Sequence, residues 1–163
     1  MKSLSLLWAA LFVFVSAPVC MADQIGNLAS EMAAAIGESG KKAIAVADFT
    51  DLEGQNTKLG RFLAEEFSVA LAASGQGFQV IDRLHLKSLI KEHELSESGI
   101  IDTTTAQKLG NIAGVEALIT GTLTPFGDTI RVTAKILDTE TARIIGAMTG
   151  DLPKTGAFAK LVE

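Results

Sequence analysis

The stretch AQKLGNIAGVEALITGTL, residues 106–123, changes from a helical to a strand pattern. In its first half, apolar residues recur at three-residue steps and predict the inner face of a short helix: Ala106, Leu109 and Ile112. Gly114 is expected to stop this helix, because glycine readily takes up the left-handed backbone conformation that ends many helices. The apolar residues at 115–123 then predict a strand. A helix that leads directly into such a strand is typical of an α/β sheet.

Two more strands are predicted downstream, at 129–138 and 143–149. In the first of them apolar and polar residues alternate, which predicts an antiparallel strand with one buried and one half-exposed face. The short connections between these strands have the composition of hairpin loops. The last three strands therefore form an antiparallel meander. Three basic side chains on its polar side form a candidate partner surface: Arg131, Lys135 and Arg143.

Strands alternate with helices upstream. Apolar runs predict strands at 43–49 and 78–81, and apolar residues at three- and four-residue steps predict helices at 24–39, 57–74 and 82–93. A β-α-β order implies parallel strands joined by a right-handed crossover. The predicted fold class is therefore α/β: a single mixed sheet of about five strands, with a parallel β-α-β start, an antiparallel C-terminal meander and flanking helices. Four residues are expected in its core: Ala45, Val46, Ile119 and Val132.

The first residues have the composition of a secretory signal peptide, so we predict a signal peptide at 1–22 and a domain at 23–163. Lys2 precedes an apolar segment that is shorter than the ~20 residues needed to cross a bilayer. Two interpretations of cleavage remain. A cut after Ala22 removes Cys20 and leaves a chain without cysteine, which suits an oxidising compartment. A cut before Cys20 leaves a lipid anchor there, although Val19 is an unusual residue before a lipid-modified cysteine.

Charge and missing motifs exclude several classes of protein. The chain has 14 Lys and Arg against 19 Asp and Glu, a net charge of −5, and lacks the basic stretches of a nucleic-acid-binding protein. It has no P-loop, no G-x-S-x-G and no H-E-x-x-H motif. His85 and His93 are eight residues apart, about 80° around a helix axis, which is poor geometry for one metal ion. We predict a protein that is not an enzyme and has no catalytic, metal or cofactor-binding residues.

An acidic loop supports one alternative. Asp48, Asp51 and Glu53 follow the first strand, at the sheet edge where α/β proteins often bind ligands. Three carboxylates could hold a hard cation such as Ca²⁺, although the loop lacks the spacing of a calcium-binding loop. The alternative is therefore a small periplasmic metal-binding protein or enzyme that uses this loop. The interpretation we favour is a solvated loop that leads into a helix.

Several short motifs occur in an order that resembles the FlgO-like outer-membrane protein domain. They are VADF at 46–49, VIDR at 80–83, LIKEHEL at 89–95, AQKLGNIAGVEALITGTL at 106–123 and LDTETARIIGA at 137–147. That family is related in pattern to the curli secretion protein CsgG, to the LpoB-type activators of peptidoglycan synthases and to the N-terminal domain of TolB. The resemblance covers about residues 25–150, nearly all of the predicted mature chain.

The resemblance implies a protein of the periplasm, or of the periplasmic face of the outer membrane, that acts by protein–protein contact. Its implied partners are envelope proteins of flagellar, secretory or cell-wall machinery, or further copies of itself. It carries over no catalytic residues: the VIDR turn and Gly110, Gly114 and Gly121 match positions of the fold. FlgO and CsgG relatives are commonly lipoproteins, and the residues before Cys20 depart from that pattern. Pore hairpins would need four strands of ~9–11 residues beyond those of the sheet, so we expect neither a channel nor a membrane span.

Overall fold

The computed structural model describes residues 21–95, 101–154 and 159–161. The predicted signal peptide, apart from its last two residues, and Cys20 lie outside them. The helices are α1 (Met21–Ser39), α2 (Lys58–Ala73), α3 (Arg83–Glu92) and α4 (Thr103–Ala113). The strands are β1 (Ala43–Val46), β2 (Gln79–Val80), β3 (Ala117–Phe126), β4 (Thr129–Asp138) and β5 (Ile144–Pro153), and a short 3₁₀ helix spans Ala159–Leu161.

The five strands form one sheet in the order β2-β1-β3-β4-β5. Strand β1 pairs in parallel with both β2 and β3, whereas β3, β4 and β5 pair antiparallel. The β3–β4 connection is a tight turn at 127–128, where Gly127 has a φ of 57°. The predicted fold class, an α/β fold with one mixed sheet, a parallel start and a C-terminal meander, is therefore confirmed.

One face of the sheet is covered by α1 and α2 and holds the larger part of the core. Helix α1 packs against β5, and α2 packs against α1 and β1. Val46, Ile119 and Val132 are buried on this face, while Ala45 is buried on the opposite one. The four core residues predicted from the sequence are thus all confirmed.

The opposite face is covered only in part. Helices α3 and α4 pack over its first section, where they bury Ala45, Ala47 and Leu118 together with their own Leu86 and Leu109. Beyond Leu118, the side chains on this face of the meander are half-buried or exposed. The two faces of one sheet are therefore unequally covered by the described helices.

Two glycines close around the aromatic residue of the VADF motif. Phe49 is completely buried, and its ring centroid lies 5.4 Å from that of Phe67 in α2. A Cβ atom on Gly121 would lie 2.5 Å from the Phe49 ring, and one on Gly60 would lie 1.8 Å from the Phe49 carbonyl oxygen. Both contacts are closer than atoms can approach, so glycine is required at both positions.

Three local predictions are wrong. Ile112 is 41% exposed, because the inner face of α4 continues from Leu109 to Ala113 rather than to Ile112. Arg143 precedes β5, which runs on to Pro153 instead of ending at Thr149. The first strand ends at Val46, three residues before the predicted boundary, although the backbone N–H of Ala47 still donates to the Ile119 carbonyl at 2.9 Å.

Candidate functional site

The three carboxylates of the acidic loop have separate roles. Asp48 pairs with basic side chains of α3. The Asp51 carboxylate accepts a hydrogen bond from the backbone N–H of Gln55 at 2.7 Å and so closes its own turn, while Glu53 is exposed. Within the part of the chain that the structure describes, no three His, Cys, Asp or Glu side chains are grouped so that they could hold a metal ion. The loop that the metal-binding alternative requires does not bring its carboxylates together.

Arg83, the last residue of the VIDR motif, joins three elements through a nearly buried ion pair. Its side chain is 8% exposed, and its Nη2 donates to Asp48 Oδ1 at the end of β1. Its Nη1 donates to Glu65 Oε2 of α2 at 2.6 Å, and Lys87 Nζ lies 3.1 Å from the second oxygen of Asp48. Asp48 of the VADF motif and Arg83 of the VIDR motif are 35 residues apart in the sequence. Their ion pair therefore links the two motifs in the fold.

The histidines of α3 do not form a site. Asp82 caps this helix, since its side chain accepts a hydrogen bond from the His85 backbone N–H at 3.0 Å. His85 and His93 are both exposed, and His93 is the residue that ends the helix.

A cleft of about 300 Å³ lies beside Asp48 at the carboxyl end of β1. Chain topology explains this position. Helix α2 leads from β1 to β2 on one side of β1, and α3 and α4 lead from β2 to β3 on its other side. Such switch points form crevices in open α/β sheets. Lys87 and Lys91 lie on its wall, and a second hollow of about 200 Å³ continues from it toward Lys135. The described lining of the first cleft contains no Ser, Cys or His.

The uncovered part of the sheet is named here the bare face. It consists of three cross-strand rows: Thr124–Arg131–Asp151, Thr122–Thr133–Thr149 and Thr120–Lys135–Ala147. All nine residues are exposed or half-buried. Short hydroxyl side chains dominate it, so the face is flat and polar.

Of the three predicted surface residues, Arg131 and Lys135 lie on the bare face. Arg131 donates to both carboxylate oxygens of Asp151, at 2.8 and 2.9 Å, and its guanidinium lies 4.6 Å from the Phe126 ring centroid. The hydrogen bond from Arg131 lowers the pKa of the Asp151 carboxyl and raises the pKa of Arg131. Lys135 is exposed, and no described carboxylate forms an ion pair with it. The positive charge open to a partner on this face is therefore that of Lys135.

Arg143, the third predicted surface residue, lies apart from the other two. The register places Asp151 opposite Arg131 and Ile144 opposite Leu137, so Arg131 and Arg143 are at opposite ends of the β4–β5 pair. At about 3.3 Å per residue, some 25 Å separate them along β5. Arg143 therefore borders the far end of the surface.

Asp138, at the end of β4, forms a second ion pair. Its carboxylate lies 2.8 Å from Lys41 Nζ and also accepts hydrogen bonds from the backbone N–H groups of Glu140 and Thr141. Burial raises the pKa of the Asp138 carboxyl, but the hydrogen bonds from Lys41 and the two backbone groups outweigh burial and lower it. The same hydrogen bond raises the pKa of Lys41. This pair fastens the α1–β1 connection to the meander.

None of the helices in the described ranges combines the length and the apolar character needed to cross a bilayer.

Comparison with known proteins gives one family and several similar structures. The family model described as the curli production assembly/transport component CsgG matches residues 27–134. The LpoB C-terminal domain from Salmonella enterica superimposes with a TM-score of 0.63 at 16% identity, covering 82% of this chain and 98% of that one. The LpoB C-terminal domain from Escherichia coli gives 0.64 at 16% identity, with 81% and 97% covered. Lipoprotein GNA1162 from Neisseria meningitidis gives 0.51 at 18% identity, with 71% and 81% covered.

At these identities the structural likeness concerns the fold. No curated protein sequence is similar enough to match the chain.

Proposed function

Because the chain belongs to the CsgG family of curli production assembly/transport components, we propose that it is a cell-envelope protein that acts by binding other proteins and is not an enzyme. The predicted signal peptide at 1–22 supports a location in the periplasm or on the periplasmic face of the outer membrane. Membership of the FlgO-like branch, and with it a role in flagellar assembly, is the narrower form of this proposal and rests on the motif order alone.

The observation that carries the proposal is the bare face. A sheet face without covering helices must either be solvated or be covered by a partner. Here it presents threonine hydroxyls on adjacent strands about 4.8 Å apart, which can donate and accept hydrogen bonds across a flat contact. The positive charge on this face that is not paired with a described carboxylate is Lys135. The hollow beside Lys135 leads to Lys87 and Lys91. The occupant that fits is an acidic surface of another envelope protein.

The contacts of the acidic loop argue against the metal-binding or enzymatic alternative. A hard cation needs several carboxylate oxygens that converge on it. Both Asp48 oxygens already pair with Arg83 and Lys87, and Asp51 closes a turn. A cation at this loop would have to displace the ion pairs that link β1 to α3.

Site-specific photo-cross-linking in living cells tests the docking surface. A photo-reactive residue at Thr133, in the centre of the bare face, is expected to give a discrete adduct with an envelope protein. The matched control position is Val69 on α2, which is 61% exposed and lies on the helical side. Adducts at Val69 with none at Thr133 would contradict the proposed surface.

The mass of the mature chain tests the predicted export. Cleavage after Ala22 gives a chain that begins at Asp23. A mass for a chain that begins at an acylated Cys20 would instead establish the lipid-anchor interpretation, and a retained Met1 would contradict export by cleavage.

A further inference from the structure

We propose that the outer edge of β5 binds an extended, basic segment of a partner protein, which joins the sheet as an additional strand. This inference goes beyond the proposed role as an interaction domain and rests on it. It concerns the edge of the sheet and the chemistry of the partner, whereas the cross-linking experiment concerns its bare face.

Hydrogen-bond alternation shows which backbone groups β5 leaves open. The Lys154 N–H donates to the Asp128 carbonyl at 2.9 Å, next to the pair formed by Thr129 and Pro153. In an antiparallel pair, alternate residues point their backbone groups toward the neighbouring strand. Residues 148, 150 and 152 therefore bond to β4, whereas Ala147, Thr149 and Asp151 direct their N–H and C=O groups outward. Pro153 continues the outward set, and as a proline it has no N–H to leave unpaired.

The β5 edge is long and has little protection. It spans ten residues, whereas β2, at the other edge of the sheet, spans two. Proteins commonly protect edge strands by keeping them short or by placing charges, above all lysines, along them. β5 has no basic residue, and the charge of its one acidic residue, Asp151, is paired with Arg131. Among the described residues, no backbone group pairs with the outer side of β5. The edge is therefore a template for an added strand.

Helix α1 gives this edge a negative flank. The helix lies directly over β5: a Cβ atom on Gly150 would be 2.7 Å from Leu28, and one on Gly146 would be 3.5 Å from the Ala35 Cβ atom. Residues three positions farther along a helix lie on an adjacent part of its surface. Glu31 and Glu38 follow Leu28 and Ala35 by three positions on the side away from the core, and both are exposed.

The exposed glutamates of α1 determine which side chains an added strand should carry. Every second side chain of an added strand would project toward α1. Glu31 and Glu38 are about 10 Å apart along the helix, whereas side chains on one face of an extended chain repeat every ~7 Å, so long cationic side chains are needed to reach both carboxylates. Lysine or arginine at such positions would meet both carboxylates. An acidic segment would place like charges together.

The same flank disfavours a second copy of this chain as the occupant. Two copies paired through β5 would bring two α1 helices side by side. Glu31 and Glu38 of one copy would then face those of the other, in chains that each carry a net charge of −5. Like charges across an interface oppose association.

The test uses the protein purified from envelopes of cells that express the full-length sequence, and three synthetic probes of about ten residues. The first is an alternating lysine–valine peptide. The second replaces lysine by glutamate, and the third is the lysine peptide with every backbone amide N-methylated, which leaves no N–H on either edge to pair with a strand. We expect binding of the first peptide alone, weakened by added salt. Amide hydrogen exchange is expected to slow on binding at Ala147, Thr149 and Asp151, whereas residues 148 and 150, which bond to β4, are expected to exchange slowly already in the free protein.

Variants separate the hydrogen bonds from the charges. Thr149→Pro removes one outward N–H at an edge position that tolerates proline, and is expected to weaken binding about tenfold or more. Thr149→Val keeps the N–H and is its control. Glu31→Lys with Glu38→Lys is expected to abolish the preference for the lysine peptide over the glutamate peptide. Glu66→Lys, at an exposed position of α2, is the control for charge alone.

Three outcomes would overturn the inference: no binding of the lysine peptide, binding with protection elsewhere than β5, or equal binding of the N-methylated peptide. A fourth would replace it. If sedimentation shows a dimer that Thr149→Pro abolishes, the occupant of the edge is a second copy. None of these results bears on cross-linking at Thr133, so failure here is distinct from failure of the proposed function.

Discussion

The two ends of β3 differ in what lies on their second face. Leu118, near the start of the strand, is completely buried beneath α3 and α4. Two and four residues farther along the same face, Thr120 and Thr122 are half-buried, and none of the described helices lies above them. The sequence changes from apolar to hydroxyl side chains where the helical cover stops. On this face, β3 thus contributes to the core at one end and to an accessible surface at the other.

This difference separates the residues that hold the fold from those available to partners. The close contacts of Phe49 with Gly60 and Gly121 lie on the opposite face, which α1 and α2 cover, and the ion pair of Asp48 with Arg83 lies beside the covered end. The bare end contains threonines and Lys135, whose side chains are half-buried or exposed. Substitutions at the covered end are therefore expected to change stability, and those at the bare end to change binding.

The largest effect is expected at Gly60. A Cβ atom there would lie 1.8 Å from the Phe49 carbonyl oxygen, a main-chain atom that cannot move without shifting β1 or α2. Gly60→Ala is expected to cost more than about 4 kcal/mol, at the upper end of overpacking effects. The control is Gly26→Ala in α1, where nothing lies within 4 Å of the new atom and alanine favours the helix by roughly 0.5–1 kcal/mol. Urea unfolding of both variants checks this, and equal midpoints would contradict it.

A smaller loss is expected from breaking the Asp48–Arg83 pair. Arg83→Met leaves the Asp48 carboxylate nearly buried with only Lys87 as a partner, and is expected to cost about 3 kcal/mol. Adding Asp48→Asn removes the unpaired charge, so the double variant is expected to recover part of the loss. A double-mutant cycle by thermal unfolding measures the coupling. Strictly additive effects would show that the pair does not link β1 to α3.

The pair at the end of β4 predicts a dependence on pH. The pKa of Asp138 is lowered in the folded state, so the stabilisation is present above the unfolded pKa, about 3.9, and is lost as pH falls through the folded value. Asp138→Asn is expected to be about 1–2 kcal/mol less stable at neutral pH. The stability gap between the two proteins is expected to narrow as the pH falls below about 4. A gap that stays constant from pH 7 to pH 3 would contradict this assignment.

Local patterns predicted most of the fold, because they record what each residue buries. The alternation from Ile130 to Ile136 gave the buried face of β4, and Gly114 was found as a helix stop. Contacts between distant residues left no local pattern. The pairing of Asp48 with Arg83 depends on β1 lying beside β2, and the packing of Gly121 against Phe49 depends on β1 lying beside β3. No short motif specifies either neighbour.

The candidate surface was predicted in part for the same reason. Alternation placed Arg131 and Lys135 on the polar face of β4, and the structure keeps both there. The pairing of Arg131 with Asp151 depends on the β4–β5 register, and the distance of Arg143 depends on where β5 begins. The open edge of β5 was not predicted, since a strand pattern does not show which strand is last in a sheet.

The smallest effect on stability is expected at Lys135. Its side chain is exposed and pairs with none of the described carboxylates, so Lys135→Glu is expected to change the free energy of unfolding by less than about 0.5 kcal/mol. Thermal unfolding checks this directly. A large loss of stability would show that the bare face contributes to the fold and would remove the contrast between the two ends of β3.

The yield of the Thr133 cross-link in Lys135→Glu tests the central claim most directly. Lys58→Glu, a charge reversal at an exposed position at the start of α2, is the matched control. If the bare face docks an acidic partner, the adduct is expected to fall several-fold in Lys135→Glu and to persist in Lys58→Glu, with both proteins equally stable. An undiminished adduct in a folded Lys135→Glu protein would contradict the account.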